Sequence, residues 1–281
     1  MACSMIRPVE LGATNVRPFL KWAGGKRWFV SRLSHLFPDD FNTYVEPFLG
    51  SGAVFFHLSP KISWLGDRNH ELIETYEAIR DDWKGVLIKL REHQRKHSEQ
   101  YYYCVRCQKL QKPTTRAARF IYLNRTCFNG LYRVNRQGEF NVPKGTKNTV
   151  IFPDDNFKIL SKLFENCTFH AGDFAHLIDD AEEGDLLYVD PPYTVKHNNN
   201  NFLKYNEVIF SWEDQVRLAG LLRKARLRGV QILASNADHN SIRKLYKGFA
   251  HIFPVSRHSV LAADPTNRKS STELIITNIR I

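Results

Sequence analysis

The sequence predicts an α/β protein with a doubly wound sheet, interrupted in its middle by a mainly helical insertion. Three observations predict it. Short apolar runs that read as strands alternate with helical segments over residues 43–67 and again from residue 168 to the end. Several of these runs end on a glycine, an acid or an asparagine: Gly66-Asp67, Asp190 and Ser235-Asn236. The stretch between, roughly residues 70–165, is highly charged, reads as helices and breaks the alternation. The expected division is one domain from residues 1–69 and 166–281, with residues 70–165 inserted into it.

Lys21-Trp22-Ala23-Gly24-Gly25-Lys26 comes first. It fails as a phosphate loop, because Leu20 and Arg27 stand where Gly and Ser or Thr are needed. Two readings remain: an aromatic, two glycines and a lysine that cover a nucleoside and bind a carboxylate, or a capped helix start with a surface lysine. Tyr44-Val45 is a strand leading into Glu46-Pro47-Phe48-Leu49-Gly50-Ser51-Gly52. Gly50 and Gly52, between a strand and a helix, let a ligand approach the backbone closely; a plain tight turn is the alternative. Ile62 to Leu65 is the next strand, and Asp67 follows it, where an acid commonly holds ribose hydroxyls. The dinucleotide fingerprint needs a third glycine where this chain has Phe55, which disfavours a nicotinamide cofactor.

The insertion opens with a helix from Glu71 to Arg80, followed by charged helical segments carrying Lys84, Lys89, Arg91, Arg95, Lys96 and His97. Arg116 to Asn124 is a further helix, and Tyr132 to Asn141 a polar hairpin centred on Gln137-Gly138-Glu139. Thr168-Phe169-His170 resumes the strands before Gly172-Asp173. Leu186 to Val189 is a buried strand opening on Asp190. Asn198 to Asn201 reads as a mobile loop. Trp212 to Arg228 is a helix, with Trp212, Val216, Ala219 and Leu222 at helical spacing. Val230 to Ala234 and Leu274 to Ile276 complete the strands.

At 281 residues the chain can bury a sizeable core. Lys and Arg number 40 against 29 Asp and Glu, an excess of 11 that favours a polyanionic partner, nucleic acid before an anionic membrane surface. No apolar run reaches the length of a membrane span, and Met1 to Glu10 lacks the apolar core of a signal peptide. Five cysteines, an odd and sparse number, suit reduced thiols in a cytosol. His93, His97, Cys104 and Cys107 have spacings that would supply four zinc ligands, but in an unusual order and a charged, solvated stretch, so no metal is expected.

Asp190-Pro191-Pro192-Tyr193 is the most informative tetrapeptide. At the mouth of a buried strand it suits chemistry on a planar amine. The carboxylate accepts from an NH2 group, proline removes competing N–H donors, and the tyrosine offers a face for stacking. The plainer reading is a strand-ending turn.

Together these residues resemble the DNA adenine-N6 methyltransferases of the Dam type, including the methylases of GATC restriction systems. The resemblance runs from about Arg17 to Ile279. Lys21 to Lys26 resembles the family's N-terminal cofactor motif, Glu46 to Gly52 its glycine motif, Gly172-Asp173-Phe174 the motif that contacts the cofactor's adenine, and Asp190 to Tyr193 its catalytic motif. Asn129 to Asn135 with Gly138 to Pro143 resembles its DNA-reading hairpin. The resemblance implies a Rossmann-like methyltransferase sheet and S-adenosylmethionine as cofactor. Trp22 and Lys26 would contact it with Ala23 and Gly24, against a wall of Glu46, Pro47, Phe48, Gly50 and Gly52. Asp67 would hold the ribose, Asp173 and Phe174 flank the adenine, and Asp190 lie near the reacting methyl. Residues 70–165 become the target-recognition domain, with Arg133 the first candidate for a base contact and Asn129, Asn135, Tyr132 and Arg136 beside it. The partner implied is duplex DNA, with the target adenine of GATC flipped out and the Asn198 to Phe202 loop closing over it. A monomer in the cytoplasm, associated with the nucleoid, is expected. A methyltransferase acting on RNA or a protein amide, and a DNA-binding module with a dead cofactor fold, remain as alternatives.

Overall fold

The computed structural model describes residues 16–135, 137–195, 210–258 and 270–280. Their seven strands form one sheet: β1 (Tyr44–Glu46), β2 (Ser63–Asp67), β3 (Cys167–Ala171), β4 (Leu186–Val189), β5 (Gln231–Ala237), β6 (His251–His258) and β7 (Ser270–Thr277), in the order β3-β2-β1-β4-β5-β7-β6. β1 to β5 pair in parallel, whereas β7 runs antiparallel to both β5 and β6. From β1 the chain winds outward through β2 and β3, then returns to β4 on the other side of β1. That reversal leaves a crevice at the carboxyl ends of β1 and β4, where open α/β sheets bind ligands.

Helices cover both faces: α1 (Arg27–Leu33), α2 (Ala53–Leu58), α3 (His70–Lys96), α4 (Glu99–Cys107), α5 (Pro113–Thr126), α6 (Phe157–Leu163), α7 (Phe174–Asp180), α8 (Trp212–Leu227) and α9 (Asn240–Tyr246). The central strands β1 and β4 are buried at every position, because the sheet is covered on both faces there. Tyr44, Leu186, Tyr188, Leu233 and Ile275 point into the core shared with Phe29, Phe55, Leu72 and Tyr76. Their neighbours Val45, Leu187, Val189, Ile232 and Ile276 point into a second core with Leu177, Leu218, Leu222 and Ile242. Each such side chain contributes about 1.5–3 kcal/mol by leaving water.

The expected elements appear, with two details added. The helix expected over residues 71–80 and the charged helical segment expected after it are the two parts of α3, divided by a break at Asp82 (φ −148°, ψ 62°). There the Asp82 carboxylate accepts from the Gly85 N–H at 2.9 Å and caps a fresh start. The hairpin is shifted. Its turn is closed by the Gly138 N–H donating to the Asn135 carbonyl at 3.0 Å, with one bridge between Val134 and Phe140. The Asn135 side chain sets that turn by accepting from the N–H groups of Gln137 and Glu139. The asparagine run with Phe202, and Arg136, lie outside the described residues.

Candidate active site

Parallel pairing brings four strand ends to one edge. Glu46 ends β1, Asp67 ends β2, Gly172 and Asp173 follow β3, and Asp190 follows β4. The turn after β1 is held by Asp67, whose two carboxylate oxygens accept from the N–H groups of Gly50 (3.0 Å) and Asn69 (2.9 Å). Gly50 and Gly52 are left-handed, at φ 50° and 66°, so glycine is the residue that fits there. A Cβ at Gly50 would also come within 2.7 Å of Trp22 Cδ1.

Lys26 organises the centre. It is not a surface lysine: only 5% of it is exposed. Its Nζ lies 3.0 Å from Asp190 Oδ1 and donates to Glu273 Oε2 (2.9 Å) and the Tyr193 hydroxyl (2.6 Å). Tyr193 donates onward to Glu273 Oε2 at 2.8 Å, and the Ser235 hydroxyl donates to Asp190 Oδ1 at 2.7 Å. Both contacts of Asp190 therefore fall on Oδ1, and Oδ2 has no partner among the described residues. The Pro191 carbonyl likewise accepts nothing from them, so two consecutive residues after β4 each keep an unengaged acceptor. Burial raises the Asp190 carboxyl above its ordinary pKa; Lys26 and Ser235 oppose the shift and Glu273 adds to it. Burial also raises Glu46, whose carboxylate accepts from the Tyr44 hydroxyl at 2.8 Å, and Asp67.

The segment carrying Trp22 and Lys26 is gripped by the end of α5. Asn124 exchanges two hydrogen bonds with the backbone of Lys21, at 2.9 and 2.8 Å. Arg125, fully buried, donates to the Phe19 and Val150 carbonyls and pairs with Asp155. Trp22 stacks on Tyr132 (5.7 Å between ring centres, 22° between planes) and on Phe120. Ala23 and Gly24 form an exposed turn, closed by the Gly25 N–H on the Trp22 carbonyl.

Phe48 and Phe174 meet as stacked rings 5.2 Å apart, with Phe210 edge-on. Asp173 caps α7 by accepting from the Ala175 N–H and pairs with the Arg217 guanidinium, which also lies over Phe174. Against the partial burial that would raise it, those contacts hold the Asp173 carboxyl below its ordinary value.

On the hairpin, Arg133 is exposed; its Nε donates to Asn141 at 2.8 Å, and its two terminal nitrogens have no partner among the described residues. The Asn135 amide is committed to the turn through Gln137 and Glu139. Asn129 is exposed in a left-handed conformation (φ 55°), between the exposed side chains of Phe128 and Leu131. Tyr132 is turned inward to Trp22 and donates to Glu71 at 2.8 Å. Of the four residues with zinc-like spacing, the two histidines have protein partners. His93 bonds Tyr101 and stacks on Tyr122, His97 bonds Tyr122 and Asn148, and the thiols of Cys104 and Cys107 are exposed. Among the described residues no group of three or more His, Cys, Asp or Glu is placed to hold a metal, and no helix is long and apolar enough to cross a membrane.

Ser235 and Glu273 are site residues that the sequence did not flag. Ser235 was visible as a strand end. Glu273 carried no signal, because a glutamate before an apolar run looks solvated.

A family model described as D12 class N6 adenine-specific DNA methyltransferase matches residues 22–260 of the chain. Type II methyltransferase M1.LlaDCHI of Lactococcus lactis subsp. cremoris is 37% identical over 273 residues, covering 94% of this chain and 96% of its own length. The DNA adenine methylase of Haemophilus influenzae is 33% identical over 265 residues, 92% of each chain. That of Escherichia coli K12 is 32% identical over 264 residues, 92% of this chain and 94% of its own.

Proposed function

The chain belongs to the D12 class of N6 adenine-specific DNA methyltransferases, and from that premise we propose that it moves the methyl group of S-adenosylmethionine to N6 of an adenine extruded from duplex DNA, within GATC. The observation that carries the reading is Asp190: a carboxylate pinned through Oδ1 by Lys26 and Ser235, with Oδ2 and the adjoining Pro191 carbonyl unengaged beside it.

The donor set fits that cofactor. Three carboxyls, the buried Glu46 and the partly exposed Asp67 and Asp190, stand at the ends of β1, β2 and β4 and suit a cationic ligand. Asp67 is fixed by two backbone N–H groups yet keeps lone pairs for ribose hydroxyls. Phe48 and Phe174 offer an apolar wall to a purine face. When bound, S-adenosylmethionine supplies an electrophilic methyl on a sulfonium sulfur.

Adenine N6 is a poor nucleophile because its lone pair is delocalised into the ring. Asp190 Oδ2 and the Pro191 carbonyl accept its two N–H groups and draw the nitrogen toward a pyramidal geometry, which returns the lone pair to it. As positive charge grows on N6, the carboxylate stabilises it without moving, and a proton leaves afterwards. Tyr193, anchored through its hydroxyl by Lys26 and Glu273, presents its ring to the base. A base stacked in a duplex cannot reach this crevice, so the adenine leaves the helix first.

The DNA-reading surface is the hairpin with the exposed side chains of Phe128, Asn129 and Leu131, inside the inserted segment. The guanidinium fork of Arg133 matches the guanine edge in the major groove. Arg133→Ala is expected to cost about 1–3 kcal/mol of discrimination, read as a larger rate loss on cognate than on altered sites. An equal loss on all sites would make Arg133 a phosphate contact. The charged half of α3 after Asp82 suits the backbone. Transfer of labelled methyl to DNA, RNA and protein, with N6-methyladenine mapped in DNA from cells expressing the chain, tests the whole reading. The expected result is label in DNA alone and methylated adenine at GATC; methylation at another sequence would remove only the site assignment.

A further inference from the structure

We propose that Glu273 is a positioning residue for methyl transfer, holding Lys26 to one oxygen of Asp190 so that the other stays open to the adenine amine. The proposal rests on the function given above. Its geometric basis is the tripod at Lys26. A lysine ammonium has three donors and no acceptor. Here three acceptors surround it, Asp190 Oδ1, Glu273 Oε2 and the Tyr193 hydroxyl, at 3.0, 2.9 and 2.6 Å. Every N–H has a place, and none is directed to Oδ2. Tyr193 closes the triangle by donating to the same Glu273 oxygen, which fixes the ring of the catalytic motif as well.

The fold explains how a residue so late in the chain reaches this point. β7 is antiparallel to β5, so its early residues lie at the edge where the parallel strands end, and Glu273 pairs with Ala237 at the end of β5. Glu273 is 3% exposed and in direct contact with Lys26. Without it, one ammonium donor loses its acceptor in a site nearly closed to water. A replacement is at hand in the same side chain Lys26 already pairs with: Oδ2 of Asp190, the oxygen the substrate needs. The charge beside Asp190 changes too, because Glu273 is a negative neighbour of the carboxylate that meets the growing positive charge on N6.

The test is a double-mutant cycle in single-turnover methyl transfer, with Asp190→Ala as a control. Glu273→Ala is expected to slow transfer by about 30–100-fold, with cofactor affinity within about threefold of the parent. In a Lys26→Met background the same substitution is expected to cost less than about threefold, because Glu273 acts through the ammonium. Equal losses in both backgrounds, or a loss that follows cofactor affinity, would overturn the proposal. Glu273→Gln keeps an oxygen acceptor for Lys26 and removes only the charge, so it should recover a good part of the rate; a rate equal to that of the alanine variant would count against the tripod.

The pH profile adds an independent reading. The groups facing Asp190 are Lys26, Ser235 of β5, Glu273 of β7, Tyr188 of β4, Glu46 of β1 and Tyr193. Glu273 is the neighbour removed, and its charge raises the Asp190 carboxyl. The acid limb of the glutamine variant is therefore expected at lower pH than in the parent, and an unchanged limb would overturn the assignment, including where the alanine variant does not fold. Asp190→Ala separates the two readings. If it stays active, the catalytic assignment fails; if it is inactive while both Glu273 variants match the parent, only the positioning role fails.

Discussion

Asp190→Ala is expected to lower methyl transfer by about 10²–10³-fold, the scale seen when one preorganised electrostatic group is removed, while DNA and cofactor affinity change only a few-fold. The separation follows from where its partners are. Removing the carboxylate leaves Lys26 paired with Glu273 and Tyr193, so no buried cation is stranded and the crevice keeps its shape. What disappears is the acceptor for the amine and the charge that meets the developing cation. Single-turnover rates beside equilibrium binding distinguish this from general damage, and normal turnover would remove Asp190 from the mechanism.

The pH dependence of the parent enzyme carries the same signature. Transfer needs the carboxylate, and burial raises the Asp190 carboxyl above its ordinary value of about 3.9. The acid limb of activity is thus expected above that value. The sign for stability is the reverse. A carboxyl with a raised folded pKa favours the fold while protonated, so its contribution is complete below the ordinary value and is lost as pH rises through the raised one. The ionisation that switches transfer on therefore costs stability. Denaturation followed across that window should show the Asp190→Ala protein losing less stability with rising pH than the parent.

Much of this arrangement could be read from the chain, and the rest could not, for a physical reason. Runs such as Leu186 to Val189 announce strands because both faces are buried, and the acid, glycine and proline residues at their ends are local features within a few positions of one another. The order of chemistry along the crevice followed from that. Lys26 was visible as a lysine after two glycines, but its burial was not, because burial depends on which strand lies behind it. Glu273 was invisible for the same reason. Only the reversed direction of β7 brings it to the carboxyl edge, and strand direction is a property of the assembled sheet. Asn135 shows the converse: an asparagine in a polar hairpin can read bases or bond its own turn, and the structure spends its amide on the turn that presents Arg133.

The second large effect is expected far from the chemistry. Arg125→Met should destabilise the protein by about 3–5 kcal/mol, the cost of leaving one half of a buried ion pair behind. Arg125 is completely buried, and Asp155 is only 6% exposed at its side chain. The guanidinium also donates to the Phe19 carbonyl at 2.9 Å and the Val150 carbonyl at 2.7 Å, so methionine fills the volume but strands a carboxylate and two carbonyls. Chemical denaturation measures the loss, and Arg125→Met combined with Asp155→Leu should recover part of it, because the uncompensated charge is then gone. The same substitution reaches the active site through the backbone. Phe19 lies just before Trp22 and Lys26, and with Arg125 gone the segment is held by Asn124 and the Trp22 stack. Cofactor KM is therefore expected to rise in the single variant and to stay raised in the double one, where stability returns but the grip on Phe19 does not. A double variant with both stability and KM restored would mean that Arg125 serves the core alone.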